Sequence, residues 1–129
     1  MKKNDFFEEV KMTKKIYTIE KIKLLTQDIF KKHGIEKAYL FGSYARGEAT
    51  KNSDIDIMIR KGKLRTLLQL SALGNDLTSA LRKEVDIITE ESFTEGYDRY
   101  ESDDVKAANQ YFYNQVLKDR VIIYDELIC

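Results

Sequence analysis

Three aspartates can do chemistry here. Asp54 and Asp56 lie two positions apart in the run Asp54–Arg60 (DIDIMIR), which alternates Ile55, Ile57 and Ile59 against Asp54, Asp56 and Met58. Side chains at i and i+2 of a strand share one face, about 6.5–7 Å apart. Two ionised carboxylates held that close repel, and a dication between them removes the repulsion. Hard cations such as Mg²⁺ take one or two carboxylates together with substrate phosphate oxygens. A lone D-x-D is more often the wet side of a half-solvated strand, so its surroundings decide. Thirteen positions before Asp54 an apolar run ends at Phe41 and is followed by Gly42-Ser43 and a helical turn. A helix start offers free N–H groups and the positive end of a dipole. Gly42 permits a tight turn and close phosphate approach, and Ser43 can cap the turn or bond a phosphate oxygen. Asp86, between Val85 and Ile87, supplies a third carboxylate as bridging ligand or general base. Two aspartates on one strand and one on a neighbour are the minimum for a two-metal phosphoryl or nucleotidyl transfer site.

Other chemistries are narrowed by what the chain lacks. His33 is the only histidine and Cys129 the only cysteine, so histidine triads, zinc sites and intrachain disulfides have almost nothing to work with. Neither a G-x-x-x-x-G-K-[ST] loop nor a G-x-G-x-x-G turn occurs. Zero formal net charge gives no bulk argument for a nucleic-acid or membrane partner, and direct nucleic-acid binding is not expected. No apolar run approaches the roughly 18 residues of a membrane span, and the N-terminus lacks a secretory pattern. The expected location is cytoplasmic.

These residues need elements to hold them. At 129 residues the chain fits one hydrophobic core. Residues 1–17 are polar and basic and read as a leader, with Met12 a candidate natural start; 18–129 reads as the catalytic domain. Ile19, Ile22, Leu25 and Ile29 recur at helical spacing, and His33-Gly34 closes that helix. Lys37–Phe41 reads as a buried strand, 64–82 as a long helix on Leu67, Leu70, Leu73, Leu77 and Leu81, and 84–89 as a third strand. Ser92 and Glu95 resemble a capping box opening a short helix. Val105, Ala108, Phe112 and Val116 give another amphipathic helix, and 121–124 a last strand. The pattern predicts an α/β (α+β) domain, a small mixed sheet flanked by helices.

The run Leu40-Phe41-Gly42-Ser43-Tyr44-Ala45-Arg46-Gly47, then Ser53-Asp54-Ile55-Asp56, resembles the nucleotidyltransferase signature: Gly-Ser, ten residues, Asp-x-Asp. That superfamily shares the palm-like fold of DNA polymerase beta. Compact size, Val85-Asp86-Ile87 and the terminal strand resemble its minimal nucleotidyltransferase (MNT) group. The resemblance covers roughly 18–125. It implies Mg²⁺, two ions, on Asp54, Asp56 and Asp86, and the nucleotide at Gly42 and Ser43, with Arg46 and Ser53 as further candidate contacts. It further implies an antitoxin that transfers AMP from ATP to a tyrosine of a HEPN-domain toxin. A salt bridge stabilising the turn is an equal reading of Arg46.

With no second domain to bind an acceptor, the acceptor is expected from outside, and a macromolecule suits an open cleft. Transfer to a small molecule and a catalytically vestigial binding antitoxin are the alternatives. Homo-oligomer and hetero-oligomer with the toxin both stay open. Among lesser features, Tyr97, Tyr100, Tyr111 and Tyr113 read as packing or partner contacts. Arg60, Lys61, Lys63 and Arg65 read as a solvated loop, and His33 as a helix end.

Overall fold

The computed structural model describes residues 11–95 and 102–128. Tyr97 and Tyr100 lie outside the described residues. The first helix, α1 (Ile19–Lys32), opens at Thr18, whose hydroxyl accepts the Lys21 amide at 3.1 Å. It closes at His33, as its sequence suggests, and the His33 ring bonds Asp76 at 2.7 Å. Then follow β1 (Lys37–Phe41), the short α2 (Gly42–Arg46), β2 (Ile55–Arg60), α3 (Leu67–Leu81), β3 (Val85–Thr89), the single turn α4 (Glu91–Thr94), α5 (Asp103–Asp119) and β4 (Val121–Asp125). No described helix is long and apolar enough to cross a membrane.

The four strands form one sheet in the order β3-β2-β1-β4. β1 runs antiparallel to β2 and β4, while β2 and β3 are parallel and joined across the sheet by α3. A parallel pair needs such a crossover, because a tight turn would reverse the chain. One face is fully covered. Ile55, Ile57 and Ile59 are buried there against Ile22 and Phe30 of α1 and Leu73, Leu77 and Leu81 of α3.

The other face is covered only in part. Tyr39, Phe41 and Met58 are buried under Val116 of α5, with Ile88 and Tyr113 packed alongside. Met58 therefore does not sit on a wet side, although it shares the alternation of Asp54 and Asp56. The α5 stripe also departs from its sequence pattern: Val116 is buried, but Val105 and Phe112 are 46% and 43% exposed. The helix instead seats Tyr113 and Val116 on the sheet. Another correction concerns α4. Glu90 is its N-cap residue and makes no side-chain cap bond, so Ser92 lies inside the turn and donates to the Thr89 carbonyl at 2.6 Å. The true capping box is Thr66 with Gln69, which opens α3.

Glu90 fixes α5 to the sheet. Only 4% exposed, its carboxylate accepts hydrogen bonds from Arg60 Nε at 2.7 Å, the Tyr113 hydroxyl at 2.6 Å and Arg120 Nη1 at 3.2 Å. Arg120 also lies 4.2 Å from the centre of the Tyr39 ring, a cation–π contact. Burial pushes the Glu90 carboxyl up, but the Tyr113 hydroxyl and Arg60 outweigh it and hold the group below the usual range. Because its pKa is depressed on folding, this stabilisation is complete above about 4.5 and is lost as pH falls through the folded value. Glu90→Ala strands two guanidinium groups and is expected to cost about 3 kcal/mol in urea unfolding at pH 7. Equal stability at pH 7, or a deficit that grows below pH 4, contradicts the clamp.

Candidate active site

The β1–β2 register sets the geometry. Phe41 stands opposite Asp56, so the next residue, Gly42, leaves the strand directly beside the Asp56 carboxylate. A Cβ on Gly42 collides with Asp56 Oδ2, and the residue has φ +70°, in the left-handed region. Glycine is required twice over, for conformation and for the approach of a carboxylate. The tight turn anticipated at this position is there; its tightest neighbour is Asp56. α2 then makes one five-residue turn and ends at Gly47 with φ +74°. The Ser43 carbonyl accepts the Glu48 amide at 2.9 Å. Its hydroxyl does not cap the helix, whose N-cap is Phe41, and no described residue bonds it.

The parallel register of β2 and β3 pairs Asp56 with Asp86. Both side chains lie on the partly covered face, on the same sides of their strands as Met58 and Ile88. Asp86 is exposed and Asp56 half-buried. Asp54 precedes β2 and is exposed. Its approach is set by the turn at 50–53, where Thr50 N donates to Ser53 Oγ at 2.8 Å and Ser53 N to the Thr50 carbonyl at 3.0 Å. The Ile55 amide then donates to the Glu84 carbonyl at 2.9 Å, tying this entry to the start of β3.

The electrostatics follow from that packing. The Asp56 carboxyl is pushed up to about 6, first by burial, then by the charges of Asp86 and Asp54 and by its hydrogen bond with Asp86. Arg46 opposes the shift. Asp56 and Asp86 are register partners on one face of the sheet, with Asp54 adding to their field. Among the described residues no group of three or more His, Cys, Asp or Glu is gathered closely enough to hold a metal ion unaided. An open set of repelling carboxylates still fits a hard dication that completes its shell with substrate oxygens.

The other candidates are placed as follows. Arg46 pairs with Glu48 at 3.0 Å and Asp119 at 3.3 Å, joining α2 to the end of α5. Ser53 closes the turn ahead of Asp54. Arg60, Lys61, Lys63 and Arg65 lie at or beyond the other end of β2, away from the aspartates, and Arg60 is engaged by Glu36 and Glu90. Two buried polar groups near the site were missed by pattern reading. The buried Tyr44 hydroxyl has no hydrogen-bond partner within bonding distance among the described residues, and burial raises its pKa. Lys83 is 3% exposed, and its position three residues before Asp86 was the only signal for it.

Comparison with known proteins agrees with this geometry. Residues 20–97 match the family model described as polymerase beta, nucleotidyltransferase. A candidate protein adenylyltransferase of Methanocaldococcus jannaschii is 45% identical over 55% of this chain and 76% of its own length. The protein adenylyltransferase MntA of Thermococcus cleftensis is 32% identical over 61% of this chain and 84% of its own length. Two solved structures share the fold. One is a toxin–antitoxin with AMP-PNP, with TM-score 0.59 and 21% identity over 80% of this chain and 73% of that one. The other is a tri-AMPylated Shewanella oneidensis HEPN toxin in complex with its MNT antitoxin, with TM-score 0.54 and 19% identity over 83% of this chain and 72% of that one. The mixed sheet, the glycine pressed against Asp56 and these matches together establish that the chain belongs to the polymerase-beta nucleotidyltransferase family.

Proposed function

We propose that this chain transfers AMP from ATP to a hydroxyl, a tyrosine, of a HEPN-type toxin, and acts as its antitoxin. The observation that carries this reading is the Asp56–Asp86 pair on an open stretch of sheet, beside a glycine that admits no side chain. The adenylyltransferase relatives support the donor, and the toxin–antitoxin neighbours are the reason to name the partner.

Each residue has a separate task. Asp54, Asp56 and Asp86 would hold magnesium, as two ions, which would offset the carboxylate repulsion and neutralise charge on the phosphates. The Gly42 and Ser43 amides and the Ser43 hydroxyl hold the β- and γ-phosphates, Arg46 adds a positive field at the edge of that cradle, and Ser53 positions Asp54. Asp86, on the outer strand, accepts the proton of the attacking hydroxyl. The acceptor oxygen forms a bond to the α-phosphorus as the bond to the bridging oxygen breaks, and pyrophosphate leaves with that electron pair.

Incubating the chain with α-labelled ATP, Mg²⁺ and a HEPN-domain toxin tests the assignment. Label is expected on the partner, and Asp54→Asn or Asp86→Asn is expected to slow its appearance about a hundredfold or more. An unlabelled partner, or labelling indifferent to both substitutions, overturns it. The repulsion gives a second test, independent of turnover. Since folding raises the Asp56 pKa from 3.8 to about 6, the folded state binds the extra proton, and stability falls as pH rises through that window. At pH 7 the charge is a burden of about 1 kcal/mol after allowance for its exposure. Asp56→Asn is therefore expected to raise Tm by a few degrees at pH 7 and by nothing below pH 4. Mg²⁺ is expected to raise Tm of the unaltered chain only. A lower Tm for the variant, or equal Mg²⁺ effects, contradicts the reading.

A further inference from the structure

A cleft of about 200 Å³ opens beside Asp54, between residues 12–14, the turn 51–54 and Lys83-Glu84. Its inner wall holds the buried Lys83 ammonium, which donates to the Thr13 carbonyl at 3.3 Å and the Lys51 carbonyl at 3.2 Å. Those two bonds leave the third proton unused, and no carboxylate among the described residues pairs with the charge. An ammonium held only by neutral carbonyls keeps its full charge available to an anion in the cleft. The exposed residues Lys14 and Lys51 line the same cleft. Asp54 and Glu84 are the opposing charges, and a cation on Asp54 removes one of them.

The position of the cleft identifies the molecule that brings the anion. In the sheet order β3-β2-β1, Gly42 leaves from β1 on one side of Asp56, while Lys83 and Glu84 lead into β3 on the other. In-line displacement puts the leaving group and the attacking oxygen on opposite sides of the phosphorus. With the leaving diphosphate at Gly42-Ser43, the acceptor arrives from the β3 side, next to the cleft. We propose that this cleft, with Lys83 at its inner wall and Lys14 and Lys51 along it, is a phosphate subsite for an acceptor that carries a phosphate beside its reacting hydroxyl. The acceptor side is named from the transfer reading; phosphate binding by the cleft is not. Lysine suits a phosphate as a point charge.

The test uses the full chain, ¹⁵N-labelled and free of Mg²⁺ so that the unneutralised aspartates disfavour phosphate at Gly42-Ser43, titrated with inorganic phosphate at constant ionic strength. Saturable amide shifts are expected at Thr13, Lys14, Lys51 and Glu84, with Gly42 and Ser43 unmoved. Adding Lys83→Met is expected to weaken binding at least tenfold, and Lys83→Arg to restore it. Shifts confined to Gly42-Ser43, absence of shifts, or unchanged affinity in Lys83→Met overturns the subsite. Should Lys83→Met fail to fold, Lys14→Met and Lys51→Met are each expected to weaken binding severalfold, and no effect of either overturns it. Repeating the titration with AMP and with tyrosine-O-AMP separates a free nucleotide from one already attached to the acceptor: tighter binding of one identifies the source. Loss of partner labelling with these shifts intact defeats the transfer reading alone.

Discussion

The whole site depends on a repulsion held in place. Asp56 and Asp86 face each other because β2 and β3 run parallel in one register, and nothing local to either strand would bring the carboxylates together. A crossover helix with a buried leucine face maintains that register from the covered side of the sheet. The carboxylates cannot relax toward β1, because Gly42 closes that side with its backbone. A charge that the fold disfavours is thus fixed where a substrate's cation would be welcome. Under the proposed function, stability is given up locally in favour of a binding preference, a common arrangement at sites of function.

The uneven covering of the second face serves the same end. α5 buries Met58, Tyr39 and Phe41 through Val116, but it does not enclose the ends of β2 and β3 that carry the aspartates. The Glu90 cluster holds this helix at that position, with Arg60 from β2, Tyr113 from α5 and Arg120 from the approach to β4 converging on one carboxylate. A favourable buried network at one end of the strands complements the unfavourable pair at the other. At the site end, Arg46 reaches from α2 to Asp119 and connects the proposed phosphate turn to the same helix.

Much of this was legible because it is local. The alternation of Ile55, Ile57 and Ile59 defines β2 and its buried face, and the Gly42-Ser43 to Asp54 spacing defines the turn that leads to it. What escaped depends on distant partners. Ser92-x-x-Glu95 and Thr66-x-x-Gln69 satisfy the same capping pattern, yet only Thr66 precedes a run with a face to bury. Val105 and Phe112 keep helical spacing with Val116, but Val105 is left exposed and Phe112 reaches only the rings of Phe41 and Phe93. The Glu90 cluster, the Lys83 contacts with Thr13 and Lys51, and the tightness of Gly42 against Asp56 arise only when strands pair. The Asp86 register is of the same kind: its residue type was informative, its neighbour was not.

The most direct measurement of the central claim is the titration of the Asp56 side-chain carboxyl by carbon-detected NMR, with and without Mg²⁺. The account predicts a midpoint near 6 in the metal-free chain, falling by at least about one unit when Mg²⁺ is added. A midpoint at the ordinary aspartate value of 3.8, unmoved by Mg²⁺, would contradict it.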